Sequence, residues 1–190
     1  MVRAQCPASL RKFGFCGVLA VVYAARLPMP SSVAKMQTLL EDMKQVLRMK
    51  KGKWKSSQPK RTNNITLTDT LSLLRHYKVS SFEVEVSEGA APSLTKWLKS
   101  VSANTCYIVH VKKHALFVEV EAVRSKWRVY DQSGVRTKAH MAVLDRVGGY
   151  GRRNVVAVVK MPQAHSQCIP HTHAHASPLI NLSEQDLLHH

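Results

Sequence analysis

The strongest candidate for covalent chemistry is Cys16, which stands near the start of an uncharged, largely apolar run over residues 13–25. This run has the composition of a buried helix beginning at the cysteine. A thiol in the first turn of a helix faces the positive end of the helix dipole, which favours the nucleophilic thiolate. Thiol catalysis also needs a histidine as base and acid, and a third group that orients the imidazole.

His114 and Asp131 are the best candidates for these two roles. His114 opens a predicted strand directly after a reversal at residues 112–113, where its ring can face the helix start. Asp131 ends the next predicted strand, and antiparallel pairing would set its side chain close to His114. His110, in the preceding strand, is an alternative base. Taken singly, the three residues fit a core cysteine, a surface histidine and a turn aspartate, but their order favours a catalytic triad with Cys16.

The elements that must position these residues follow from the hydrophobic pattern. Apolar residues at a spacing of three to four predict helices, and alternating or β-branched runs predict strands. Helices followed by an antiparallel sheet are typical of the α+β class. The predicted helices cover residues 16–26, 32–49, 67–77, 92–101 and 137–147, and the predicted strands cover 79–86, 105–112, 115–122, 126–131 and 154–161.

The chain is long enough for one domain with a tail. We expect the domain to cover residues 1–161 and a polar, histidine-rich tail to cover 162–190, where Gln, His, Ser and Pro replace the apolar pattern. The alternating His171, His173 and His175 form a pattern that can bind a metal ion, but disorder is the preferred interpretation. We expect neither a metal site nor another cofactor.

The net charge of +16 indicates an acidic partner, either nucleic acid or an acidic protein, or else a solvated basic surface. Much of it lies in a predicted basic loop over residues 48–61, which has no periodicity and contains one tryptophan. Such a loop can neutralise phosphates and stack on a base, but a mobile surface loop is the preferred interpretation. The candidate binding residues are Lys50, Lys51, Lys53, Trp54, Lys55, Lys60 and Arg61.

The four cysteines form no C-x-x-C pair and no zinc-ligand spacing, which favours a reducing, cytoplasmic compartment. No apolar run reaches the length needed to span a membrane. A secretory signal peptide is the competing interpretation of residues 13–25, because basic residues precede them and Val22 and Ala24 suit a cleavage site. Cleavage there would remove Cys16 and with it the catalytic hypothesis.

Segment order and local pattern over about residues 10–160 resemble the papain-like cysteine peptidases. The matching segments are Phe15-Cys16-Gly17 opening an apolar helix, the helix and strand over 66–79, the strand pair over 107–118 that carries His114, and the segment 127–134 that carries Asp131. The small bacteriocin-processing type is most similar and the Josephin type of deubiquitinase comes second. Viral leader and polyprotein-processing peptidases share the same plan.

The resemblance implies a papain-like fold with Cys16 as nucleophile, His114 as general base and acid, and Asp131 as the orienting group. It implies a polypeptide substrate, with self-processing or polyprotein processing as one form of the activity, in the host cytoplasm if the chain is viral. An isopeptidase of the deubiquitinase type is an alternative. A basic module that binds nucleic acid or an acidic protein on a catalytically weak scaffold is another.

The chain departs from the family's pattern at the oxyanion site. Such enzymes carry a glutamine a few residues before the cysteine, and its amide helps to bind the oxyanion. Here Leu10 stands six residues before Cys16, and Gln5 is the nearest upstream glutamine. The oxyanion candidates are therefore Gln5 and the backbone N–H of Cys16.

Overall fold

The computed structural model describes most of the chain up to residue 163. The described residues are 3–13, 15–47, 65–79, 81–87, 89–112, 114–122, 126–132, 134–137, 144 and 149–163. The candidate residues of the basic loop lie outside this set, as do residues 164–190 of the predicted tail and almost all of the predicted helix over 137–147.

The described elements are a mixture of helices and strands, which confirms the predicted α+β class. A short 3-10 helix over Ala8–Phe13 leads into the first α-helix. The α-helices are α1 (Cys16–Ala24), α2 (Val33–Val46), α3 (Leu67–His76) and α4 (Leu94–Trp97). The strands are β1 (Glu83–Val86), β2 (Thr105–Val111), β3 (His114–Val120), β4 (Trp127–Asp131), β5 (Gly134–Thr137) and β6 (Val155–Pro162).

The strands form one six-stranded antiparallel sheet in the order β1-β6-β2-β3-β4-β5. The strand β5 was not predicted from the sequence. The predicted helix began at Thr137, but Thr137 is the last residue of β5 and pairs with Arg128 of β4. The β4–β5 hairpin closes where Asp131 pairs with Gly134. Gly134 has a φ of 125°, a conformation that glycine adopts without steric cost, so it lets the chain reverse there and form the extra strand.

The sheet separates two apolar clusters, because successive side chains of a strand point to opposite faces. Phe117 of β3 belongs to the cluster that contains α1, α2 and α3. Leu116 and Val118, its neighbours in sequence, belong to the other cluster, together with Leu94 of α4. The helix α1 packs against β3, the strand that begins with His114.

The helix α1 is buried from Cys16 to Tyr23, as its uniformly apolar sequence predicted. The lead-in to this helix is fixed to it by Arg3, whose Nη1 donates to the carbonyl oxygen of Tyr23 at 2.5 Å. The same guanidinium pairs with Glu119 of β3 and lies over the ring of Phe117. Among the described residues, no helix has both the length and the apolar character to cross a membrane.

Candidate active site

The helix α1 begins where the strand β3 begins, and this junction brings Cys16 to His114. The side chain of His114 and the backbone N–H groups of Ala115 and Gly17 form hydrogen bonds with the Cys16 sulfur. Burial opposes ionisation of this thiol, but the hydrogen bonds and the positive charge of His114 outweigh it. The pKa of Cys16 therefore lies below its ordinary value, which favours the thiolate.

His114 has the complementary shift. Burial alone would lower its pKa, yet the negative charges of Asp131 and the Cys16 thiolate raise the pKa to about 9. His114 is therefore expected to carry its proton at neutral pH, and the lowered pKa of Cys16 favours the thiolate beside it. Nε2 of His114 lies 3.8 Å from Oδ2 of Asp131, which is an ion-pair distance rather than a hydrogen bond.

The two ring nitrogens of His114 have different neighbours. Nε2 is buried and makes no hydrogen bond to any described residue. Since the thiol of Cys16 does bond to the ring, Nδ1 is the nitrogen that it contacts. This arrangement places Nδ1 at the Cys16 sulfur and turns Nε2 toward the carboxylate of Asp131.

The sheet register places Asp131 beside His114. Phe117 of β3 pairs with Tyr130 of β4, so Asp131 lies one step further toward the beginning of β3. The residue is only 2% exposed. The structure thus brings together the three residues that the sequence analysis named as a triad, and it does so through the strand ends that were predicted to carry them.

Tyr150, which was not among the residues predicted from the sequence, contacts two of the three. Its hydroxyl donates to Oδ2 of Asp131 at 2.5 Å. Its ring stacks on the imidazole of His114, with centroids 5.0 Å apart and planes 28° apart. Tyr150 therefore covers the imidazole of His114 and holds the same carboxylate oxygen that faces it.

The backbone around Gly151 fixes Tyr150 in this position. The N–H of Gly151 donates to the carbonyl oxygen of Leu144 at 2.9 Å, and its carbonyl accepts from the N–H of Thr95 at 3.0 Å. A Cβ atom on Gly151 would lie 2.6 Å from that oxygen of Leu144, so only glycine permits the approach. The only sequence feature that could have pointed to Tyr150 is its place between Gly149 and Gly151, and this feature does not predict where the segment packs.

A cavity of about 190 Å³ lies directly beside the thiol. Its wall is formed in part by Ile65, which packs tightly on the residue after the nucleophile, since a Cβ atom on Gly17 would lie 2.5 Å from Cγ1 of Ile65. The sequence before α3 thus closes one side of the site. The lining residues are Cys16, Gly17, Ile65, His110, Val111, His114 and Ala115.

His110, the alternative base of the sequence analysis, forms part of this cavity wall. Its Nε2 lies 3.3 Å from Oγ1 of Thr70 in α3. The histidine whose side chain interacts with the Cys16 thiol is His114. The structure therefore brings His114 to the thiol and places His110 in the wall of the cavity beside it.

The two oxyanion candidates lie in different places. Gln5 is exposed, and its Oε1 is 3.7 Å from the point where a Cβ of Gly134 would stand, at the turn between β4 and β5. It does not line the cavity beside Cys16. Leu10, at the position of the family's glutamine, is fully buried in the core. The backbone N–H of Cys16 is at the start of α1, the positive end of the helix dipole.

The described residues include no cluster of three or more histidine, cysteine or acidic side chains arranged to hold a metal ion. The site as described consists of a thiol, an imidazole, a carboxylate and a phenol. Such a set can perform nucleophilic and acid–base chemistry with its own groups.

Replacing Tyr150 with phenylalanine is expected to lower the free energy of unfolding by about 1.5–3 kcal/mol, because a buried carboxylate loses a hydrogen bond. Urea denaturation followed by fluorescence measures the change. The matched control is Tyr107→Phe, which removes a hydroxyl that accepts from the neutral N–H of Ser102 and should cost only about 0.5–1.5 kcal/mol. Equal losses in the two variants would contradict the charged contact with Asp131.

Comparisons of the chain with protein-family models, with curated proteins and with solved structures found no match in any of the three. The geometry around Cys16, His114 and Asp131, together with the Tyr150 contacts, is therefore the basis for any inference about function.

Proposed function

We propose that the protein is a cysteine peptidase with a papain-like fold, in which Cys16 is the nucleophile, His114 the general base and acid, and Asp131 the group that orients and stabilises the imidazolium. The observation that carries the proposal is the contact between a thiol of lowered pKa and a histidine of raised pKa at the start of a buried helix. Opposite shifts in two adjacent groups are typical of catalytic sites.

The proposed reaction begins with the thiolate of Cys16 attacking the carbonyl carbon of the scissile peptide bond, while the carbonyl electron pair moves to oxygen. As the C–N bond breaks, the proton on Nδ1 of His114 passes to the leaving amine, and a thioester to Cys16 remains. His114, now neutral, takes a proton from water as the water oxygen attacks the thioester. Expulsion of the Cys16 thiolate releases the carboxylic acid and restores the ion pair.

Two further features support these steps. The negative charge of Asp131 lowers the free energy of the imidazolium that must give up its proton in the first half-reaction. The backbone N–H of Cys16, at the positive end of α1, is the proposed donor to the oxyanion. The stacked ring of Tyr150 keeps water from the outer side of the His114 ring and so strengthens both charge interactions.

The proposal is tested by the selectivity of thiol alkylation. At pH 7, iodoacetamide is expected to label Cys16 at least about tenfold faster than Cys6 or Cys106, because each unit of thiol pKa changes the thiolate fraction about tenfold. Cys106 is a suitable internal reference, since it is as buried as Cys16 and burial raises its pKa to about 11. Mass spectrometry of tryptic peptides measures the rates.

Hydrolysis provides the second measurement. Cys16→Ala is expected to abolish cleavage of a mixture of unstructured peptides, whereas Cys106→Ala, the matched control, retains it. Equal labelling of Cys6, Cys16 and Cys106, or cleavage that survives Cys16→Ala, would overturn the proposed activity.

The polypeptide substrate could be part of the chain's own precursor, as in the polyprotein-processing peptidases that the sequence resembles, or an isopeptide as in the Josephin type. A reactive thiolate is compatible with a reducing compartment such as the cytoplasm, the host cytoplasm if the chain is viral. The net charge of +16 favours an additional acidic partner, nucleic acid or protein, and such binding can coexist with peptidase activity.

A further inference from the structure

The wall of the cavity beside Cys16 contains a polar group that the proposed triad does not use. His110 of β2 pairs with Ala115 of β3, the residue directly after His114, and both line the cavity. The ring of His110 is turned toward α3 by its contact with Thr70. It therefore stands next to the nucleophile without being the histidine bonded to it.

The hydrogen bonds of Thr70 determine which nitrogen of His110 carries a proton. The Thr70 hydroxyl donates its only hydrogen to the carbonyl oxygen of Thr66 at 2.9 Å. In its 3.3 Å contact with His110, Thr70 must therefore accept, and Nε2 of His110 must donate. The capping box between Thr66 and Asp69 at the start of α3 holds the Thr66 backbone in place.

His110 is consequently neutral with a bare Nδ1. Burial lowers the pKa of its imidazole, so the ring carries one proton at neutral pH, and that proton is on Nε2. The Nδ1 lone pair is an acceptor, and the contact of His110 with Thr70 engages Nε2 and leaves Nδ1 out. It is the ring position that remains for a ligand in the cavity.

Two side chains in the cavity wall away from the proposed triad are apolar. Ile65 and Ala115 contribute aliphatic surface and Gly17 contributes no side chain, whereas the side chain of Val111 packs in the apolar cluster on the other face of the sheet. A single acceptor beside aliphatic surface selects for a group with one donor and an otherwise aliphatic body, because an acceptor that a bound group covers without pairing is costly.

We propose that this cavity is a substrate subsite, adjacent to the scissile bond, for a short side chain that has an aliphatic body and one hydrogen-bond donor, with threonine as the best fit, and that Nδ1 of His110 accepts from its hydroxyl. The proposal rests on the peptidase activity proposed above and specifies its substrate. The nearly isosteric valine lacks the donor and leaves Nδ1 unpaired, so the subsite discriminates against it.

Paired peptides that differ only by threonine or valine test the subsite. Cleavage of the peptide mixture first locates the scissile bond. One threonine–valine pair is then made for the position directly before that bond, and one for the position directly after it. Wild-type protein is expected to favour threonine over valine by about tenfold in kcat/KM at one of these positions. The same pairs are measured for binding to Cys16→Ala, which gives a readout that requires no cleavage.

Two variants of His110 assign the preference to Nδ1. His110→Leu removes the acceptor and should bring the threonine-to-valine ratio near one, whereas His110→Asn restores an acceptor close to the Nδ1 position and should retain the preference. If the thermal melt shows that His110→Leu does not fold, the test rests on the threonine-to-valine ratios of the wild type and of His110→Asn, both of which should favour threonine. No threonine preference in the wild type, or a preference unchanged in a folded His110→Leu, would overturn the subsite.

Failure of the subsite and failure of the peptidase proposal give different results. Selective alkylation of Cys16 with equal use of threonine and valine peptides would leave the peptidase standing and remove the subsite. A threonine preference in binding to Cys16→Ala, with no cleavage by the wild type, would leave a peptide-binding site without the proposed reaction.

Discussion

Replacing Asp131 with asparagine is expected to slow alkylation of Cys16 at pH 7 by about 10- to 1,000-fold, since a neighbouring opposite charge typically shifts a pKa by one to three units. Asp131 contributes to the raised pKa of His114, and an amide supplies no charge. His114 would then be neutral at pH 7 and would no longer stabilise the thiolate. Burial would then dominate and raise the pKa of Cys16.

The pH dependence of this variant identifies the cause. In the wild type, alkylation is expected to fall at acid pH as the thiolate takes up a proton. The proposed hydrolysis is also expected to fall as pH rises through about 9, where His114 loses the proton that it would give to the leaving amine. In Asp131→Asn, the acid limb of alkylation should move to higher pH and the basic limb of hydrolysis to lower pH. Stopped-flow alkylation measures the acid limb and peptide cleavage measures the basic limb, both over a range of about pH 5 to 10.

Asp42→Asn is the matched control, because it makes the same chemical change at an exposed position on α2. The amide oxygen at position 131 can still accept from the hydroxyl of Tyr150, so the contact that holds residue 131 is preserved. Asp131→Asn with wild-type rates and wild-type pH limbs would show that the carboxylate does not act on His114.

The proximity of the three proposed triad residues was predictable from the sequence because each lies at a boundary that the local pattern marks. Cys16 follows the charged lead-in and opens an apolar run, and His114 and Asp131 stand at the ends of β-branched and aromatic strands. Antiparallel pairing of sequential strands then brings the two strand ends together with few alternatives. For these residues, local structure nearly determines proximity.

Tyr150 could not be predicted, because its position depends on packing between distant segments. The carbonyl of Gly151 accepts from the N–H of Thr95, and its N–H donates to the carbonyl of Leu144. The hydrophobic periodicity of the sequence predicts neither contact. The strand β5 was missed for a related reason. It is short, and its pairing with β4 depends on the conformation of Gly134 rather than on a run of β-forming residues.

His110 lies in a strand that was predicted correctly, but the position of its side chain depends on the tertiary structure. Strand alternation left open which face of the sheet carries this side chain. Pairing of His110 with Ala115, together with the contact to Thr70, places the ring at the cavity and fixes its tautomer. Only the meeting of β2 with α3 supplies that information, and these elements are separated by the whole of β1 and α4.

A chain that lacks residues 1–24 is expected not to fold. Truncation removes α1, and four of its aliphatic side chains, Val18, Leu19, Val21 and Val22, are at most 1% exposed. Burying each such side chain contributes about 1.5–3 kcal/mol, so the four contribute about 6–12 kcal/mol, comparable with the whole stability of a typical domain, about 5–15 kcal/mol. The expected result is loss of the cooperative thermal transition in circular dichroism.

Point variants separate this burial effect from an unspecific effect of truncation. Val21→Ala should lower the free energy of unfolding by about 2 kcal/mol, whereas Val156→Ala, at a position 49% exposed, should change it by less than about 0.5 kcal/mol. A truncated chain that still melts cooperatively would show that the sheet and the remaining helices suffice, and would favour the reading of residues 13–25 as a removable signal peptide. Loss of folding would instead show that the helix which carries Cys16 is an integral part of the domain, because the sheet face that α1 covers cannot be left to water.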